Sequence, residues 1–501
     1  MKNARYVRGV VYGLVIAGLA LPVSDGIARS EVPLFENLGV LQHKITTHSD
    51  LAQKYFDQGL RLVYAFNHEE ALAAFTEASR LDPDAPMPYW GVALSLGPNI
   101  NAGMDSKAES RAVEAVQKAT ARLAHATPTE RAYVEALAAR YSVKKAATRK
   151  GKDEAYAKAM RRLAHDYPED ADAATIFAEA LMVLRPWDYW RADGRPQPGT
   201  EEIVTTLEAV LQHQPDHPGA CHYYIHAVEA SPDPQRGLPC AMRLPSLMPG
   251  AGHLVHMPAH IYMRVGRYRD ASERNAKAAT VDHEYLLQHP LEGNYASGYY
   301  AHNLHFLNAS LVMEGRSAEA LQAARDLLSK ISVNEIVKEP SLEWYAPTVL
   351  LTMARFGQWG ELIRQPPPPK ELRYTTGLWH YVRGLAFAAT TRFGSAEGEL
   401  SNLRKSLKGL ARAKTAEGKI SRTLLKIAER VLAGEIAARK GDFDAGIQAL
   451  REALQLEATV PYSEPPFWFQ PVRHNLGAVL LLAGRPGDAE SVYREDLRLN
   501  P

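Results

Sequence analysis

The stretch Tyr55-Phe56-Asp57-Gln58-Gly59-Leu60-Arg61-Leu62, followed by Ala71-Leu72-Ala73-Ala74-Phe75-Thr76-Glu77-Ala78 and closed by Pro83, decides the fold. Gly59 and Leu62 share one helix face, and Ala71, Phe75 and Ala78 share another, because residues three and four apart stack along a helix. Small residues let two antiparallel helices approach, an aromatic fills the space between hairpins, and a proline stops the second helix. The reading is a helix–turn–helix hairpin.

Working outward, the chain repeats this arrangement. Leu476-Gly477, Leu480, Gly484, Ala489, Tyr493 and Pro501 form a second clear copy. Partial copies centre on Gly266 with Ala271 and Ala278, on Gly315 with Ala320, and on Gly441 with Ala453. Between them, alanine, leucine, glutamate and arginine dominate, apolar residues recur at three and four, and no sustained alternation suggests a sheet. On these motifs the chain resembles the tetratricopeptide repeat superfamily, and its opening unit, with Phe66-Asn67-His68-Glu69, looks like exported bacterial histidine-rich members. The resemblance implies an all-α, TPR-like α-solenoid of antiparallel helix hairpins. Gly266, Gly315 and Gly357 are 49 and 42 residues apart, whereas the repeat's usual period is about 34. The array is therefore modified in its histidine-rich N-terminal half. Pro366 to Pro369 cannot continue a helix, so the expected division is 29–365, a 366–369 linker, and plainer repeats over 370–501.

The N-terminus reads as a secretory signal: Lys2, Arg5 and Arg8, an uncharged run from Gly9 to Leu21, then Gly26-Ile27-Ala28 for cleavage. That run of 13 residues is short beside the roughly 20 a membrane span takes; an uncleaved anchor is the alternative. The mature chain would begin near Arg29 in the periplasm or beyond, with no membrane attachment. It would carry 55 Lys+Arg against 56 Asp+Glu, a balance that argues against nucleic acid as partner. Hydrophobic content of 46% and charged content of 23% are ordinary for a folded protein.

Chemistry concentrates in one region: eleven of eighteen histidines fall between His213 and His305. His222, His226 and Glu229 project within about 60° of each other on a helix. His256 and His260 flank Pro258, which suits a first helical turn, and His253 is a lesser candidate beside them. His302 and His305 share a third face. Neutral imidazoles with a carboxylate suit zinc, copper, iron or nickel. Copper or zinc ranks first, copper by affinity order and both because an exported protein meets them readily. Six histidines exceed one tetrahedral ion, so either two ions bind or some rings only support the others. Glu229 is then ligand, general base or a partner orienting a histidine. Against this stands the reading that each set merely packs against neighbouring helices or caps them.

His43, His48 and His68 are weaker outriders; His213, His217, His283 and His289 lie in or beside broken loops and read as incidental. Trp187-Asp188-Tyr189-Trp190 reads as a loop anchor or as a lid over a ligand. The run Lys144, Lys145, Arg149, Lys150, Lys152 reads as a solvated turn. Cys221 and Cys240 allow a disulfide, two buried thiols, or Cys221 as a soft ligand. No glycine-rich phosphate loop, GxSxG elbow or HExxH is present, so no nucleotide cofactor is expected. Two function classes remain. One is a metal-binding protein, with hydrolytic or oxygen chemistry on a small substrate as its enzymatic form. The other is a non-catalytic scaffold for a peptide or protein.

Overall fold

A computed structural model describes residues 32–141, 148–288, 295–410 and 414–499. The signal and its cleavage site, Lys144, Lys145, His289 and Pro501 lie outside the described residues. The described chain is all-α; its one β-bridge is isolated, between Trp190 and Pro196. No described helix is long and apolar enough to cross a membrane.

The chain forms two compact units, residues 1–262 with 277–295, and residues 263–276 with 296–501. The first unit opens with α1 (Asp50–Tyr64), α2 (His68–Leu81), α3 (Pro86–Ser95), α4 (Ser106–Thr120), α5 (Pro128–Arg140) and α6 (Arg149–Asp166). It continues with α7 (Ala171–Val183), α8 (Thr200–His213), α9 (Pro218–Val228), α10 (Leu238–Leu247) and α11 (Gly252–His256). Next come α12 (Pro258–Arg264) and α13 (Tyr268–Gln288), which run across the division between units. Most sequential neighbours pack as hairpins, and α9 also packs on α1 and α7.

The second unit holds α14 (Ala301–Met313), α15 (Ser317–Leu328), α16 (Val333–Lys338), α17 (Thr348–Arg355) and α18 (Trp359–Arg364). The hairpins α19 (Arg373–Ala389) with α20 (Phe393–Gly409), α21 (Ala416–Arg439) with α22 (Phe443–Glu457), and α23 (Val472–Leu482) with α24 (Pro486–Leu499) complete it. The Pro366–Pro369 run lies inside this unit, between α18 and α19.

The repeat residues do what their chemistry requires. A methyl group at Gly59 would meet the Phe75 ring at 2.7 Å, and one at Gly91 would meet the same ring at 2.3 Å. Phe75 thus fills the space that two glycines leave between α1, α2 and α3. Gly477 and Tyr493 repeat the fit at the far end, at 2.3 Å. The helix ends share a further device, in which the first residue past a left-handed one donates its N–H back to a carbonyl five positions earlier. This bond runs from Asn67 to Leu62, Arg316 to Leu311, Gln358 to Met353, Arg392 to Phe387, Asp442 to Ala437 and Arg485 to Leu480. The left-handed residue is Gly315, Gly357, Gly441 or Gly484 in four of these turns, but Phe66 and Thr391 in the other two.

An extended segment precedes α1 and is tied to it by side chains of the opening motif. Asp57 Oδ1 accepts from the His43 N–H at 3.0 Å, and Gln58 bonds both Phe35 N–H and the Pro33 carbonyl at 2.8 Å. Asp57 and Gln58 therefore serve the fold.

Candidate metal centre

The site is built where α1, α9 and α11–α12 meet in the first unit. His222 and His226 stand one turn apart on α9, a short helix buried along its whole length. His253 and His256 lie on α11 and His260 on α12, the turn at Met257-Pro258 letting the last two rings converge. His222, His226, His253, His256, His260 and Glu229 are each at most 3% exposed.

Hydrogen bonds place the proton of three of the rings on Nδ1. A carbonyl can only accept, so His222 Nδ1 donates to the Tyr64 carbonyl at 2.6 Å. Tyr64 ends α1, where carbonyls lack helical partners, and His222 takes this one. Glu229 receives two rings: His226 Nδ1 at 3.0 Å on one oxygen and His260 Nδ1 on the other. Burial alone would raise the Glu229 carboxyl, but His260 and His226 beside it hold it down, at about 2. Burial pushes His226 below its ordinary value and, with His226 beside it, pushes His222 well below. Neutral rings donating from Nδ1 present bare Nε2 lone pairs, the form in which histidine binds metals.

Those Nε2 atoms face one another. His222 and His253 bring theirs to 3.1 Å, and His256 and His260 to 2.9 Å. Nitrogens on one tetrahedral zinc, with bonds of about 2.0–2.1 Å, lie roughly 3.3 Å apart, so these separations are close to a ligand pair's. His226 Nε2 is buried and has no hydrogen-bond partner among the described residues. His222, His226 and His253 offer ligand atoms within 4.8 Å of one another, as do His226, Glu229 and His260.

Two aromatic residues wall the cluster from positions of unfavourable backbone. Phe66, at φ 56°, stacks on His226 and His253 with ring centres 6.1 and 5.7 Å away and meets His222 edge-on at 4.5 Å. Trp187, at φ 62°, meets His226 edge-on at 4.9 Å while its indole N–H bonds the Ile100 carbonyl at 2.9 Å. A left-handed backbone costs a non-glycine residue about 1–2 kcal/mol, and such strain collects at functional sites. Trp190 Nε1 bonds the Ala227 carbonyl near the end of α9 at 2.7 Å. The aromatic loop is thus both an anchor and a wall.

His302 and His305 are on α14 of the second unit, where His302 packs edge-on against Phe306 and His305 against Tyr345. Burial pushes His305 down to about 4. His68 bonds the Ser95 carbonyl at 3.1 Å and supports the first hairpin. His213 and His283 are exposed. His217, which the sequence offered no reason to select, is 2% exposed and caps α9: its Nδ1 accepts the Ala220 N–H at 3.1 Å. Cys221 and Cys240 are free, buried thiols, and a hydrogen bond between them together with burial pushes the Cys221 thiol far up. A protonated thiol is a poor metal ligand.

Comparison with known proteins finds only distant likenesses. No family model and no curated protein matches the chain. Among solved structures, human IFIT1 dimer with m7Gppp-AAAA is similar over 90% of this chain and 95% of its own, at 12% identity and TM-score 0.37. The APC/C hetero-tetramer Cut9–Hcn1 matches 90% of this chain and 73% of that one, at 13% and 0.34. The P58(IPK) TPR domain matches 87% and 98%, at 14% and 0.23. The helical hairpins described above, rather than these distant likenesses, establish the TPR-like fold.

Proposed function

We propose that this chain is an exported metal-binding protein that holds one or two transition-metal ions in the first unit. His222, His226 and His253 supply one set of Nε2 donors, and the His256–His260 pair completes it or begins a second. One observation carries the reading: His226 Nε2 is buried without a hydrogen-bond partner, on a ring whose donor atoms group within 4.8 Å with those of His222 and His253. An imidazole nitrogen left bare in a dry interior costs free energy, and a metal ion removes that cost. All-nitrogen donors favour copper or zinc. Glu229, whose two oxygens are taken by imidazole N–H groups, orients His226 and His260 rather than serving as a base. A bound ion would supply Lewis-acid or redox chemistry; the chain's own contribution is to fix the rings and exclude water with Phe66 and Trp187.

Equilibrium dialysis against zinc(II) and copper(II), followed by elemental analysis, tests this. Wild type should retain at least one ion per chain, and the His226→Ala, His260→Ala double variant should lose it. Undiminished metal in that variant would refute the assignment. A scaffold role for a peptide or protein is supported by the second unit's successive hairpins, and the two readings use different units. Histidine substitutions in the first unit should then leave partner binding unchanged.

A further inference from the structure

The first unit holds a second buried polar cluster that contains none of the proposed ligands. Asp172, 7% exposed in the first turn of α7, is at its centre. Its Oδ1 accepts the Tyr64 hydroxyl at 2.5 Å and His217 Nε2 at 3.1 Å, and its Oδ2 meets His43 Nδ1 at 2.7 Å. Both Oδ1 partners lead to α9. His217 caps that helix through Nδ1, which accepts a backbone N–H and so leaves Nε2 protonated to donate to Asp172. Tyr64 lays its ring on Gly219, where a methyl group would meet it at 2.4 Å, and its carbonyl holds His222 Nδ1. One carboxylate thus grips the start of α9 and the residue that orients the first histidine on it.

We propose that Asp172 is a positioning residue for the metal centre, setting α9 and the His222 ring through His217 and Tyr64. This rests on the metal reading above. A carboxylate whose two oxygens accept from three donors is held in one arrangement, so the helix that His217 caps has one register and the His222 Nε2 one direction. Partners that orient a ligand in this way typically change metal affinity by about 10–100-fold when removed.

Cobalt(II) titration followed through its visible d–d bands tests the proposal, using wild type, Asp172→Asn and Tyr64→Phe. Asp172→Asn turns an acceptor into a donor facing donors. Tyr64→Phe deletes only the hydroxyl, keeping the ring on Gly219 and the carbonyl on His222, and serves if the first variant does not fold. Each should bind cobalt about 10–100-fold more weakly and show d–d bands of altered position and intensity, because residue 64 and the carbonyl it offers to His222 are no longer anchored to the carboxylate. Affinity within about threefold of wild type, or a weaker affinity with unaltered bands, would overturn the positioning role while leaving the metal site standing. No cobalt uptake by wild type would overturn the site itself, and this role with it.

Discussion

Glu229 joins His226 and His260 through its two oxygens, so its contribution rests on geometry as much as charge. Glu229→Gln keeps the shape but turns an amide N–H toward an imidazole N–H. Metal affinity should fall about 10–100-fold, as when such partners are removed elsewhere; a competitive chelator titration giving wild-type affinity would contradict this. His43 answers to pH. Burial lowers it, but the Asp172 bond and charge, with Asp170 and Asp57 nearby, raise it above 6.5 overall. Its stabilising contribution is therefore full below 6.5 and is lost as pH rises through the raised folded value. In metal-free protein, the denaturation midpoint of wild type should drop more between pH 6 and pH 9 than that of His43→Gln; equal drops would refute the pairing. The pair His222–His226 was legible in the sequence because helical spacing alone brings such residues together, and His256–His260 because Pro258 marks a helix start between them. Asp172, His217 and His43 were not, since Asp172 meets His217 across 45 positions and His43 across 129.

At the scale of elements, the shared helix-end turn separates what the fold needs from what the site needs. Thr391, β-branched and exposed, sits at φ 59° where other turns have glycine. Thr391→Gly should raise stability by about 1 kcal/mol, read as a higher urea midpoint, since relief of left-handed strain outweighs glycine's extra chain entropy. No change or a decrease would contradict this. Phe66 occupies the same place in the first hairpin, but there the strained residue's ring walls three histidines. Packing sets a second limit: Gly91→Ala should destabilise by about 1–3 kcal/mol, because its methyl group would enter the Phe75 ring. Wild-type stability would show that the ring yields. Repeat signatures were readable because small–large complementarity leaves its mark at fixed spacing. The 49- and 42-residue intervals reflect the 21-residue α13 and the additional short α16 between hairpins. Phe66's role was hidden, because nothing in a phenylalanine's neighbours announces a left-handed backbone.

Across the whole molecule, the metal reading belongs to one unit. An ion that binds only the folded site stabilises it by about 2.7 kcal/mol at a hundredfold excess over Kd. Hydrogen exchange should slow in α9 and α11 on adding zinc, while α19–α24 remain unchanged; uniform slowing, or none, would contradict this. The all-α hairpin architecture was legible throughout because it depends on local periodicity, whereas the division into units depends on long-range packing. The central claim is that several imidazoles meet on one ion, and X-ray absorption at the metal edge of the loaded protein tests it most directly. The account predicts a first shell dominated by nitrogen at about 2.0–2.1 Å, with the outer-shell scattering of at least three imidazoles and no sulfur. A shell of oxygen alone, one or two imidazoles, or a sulfur contribution from Cys221 would contradict it.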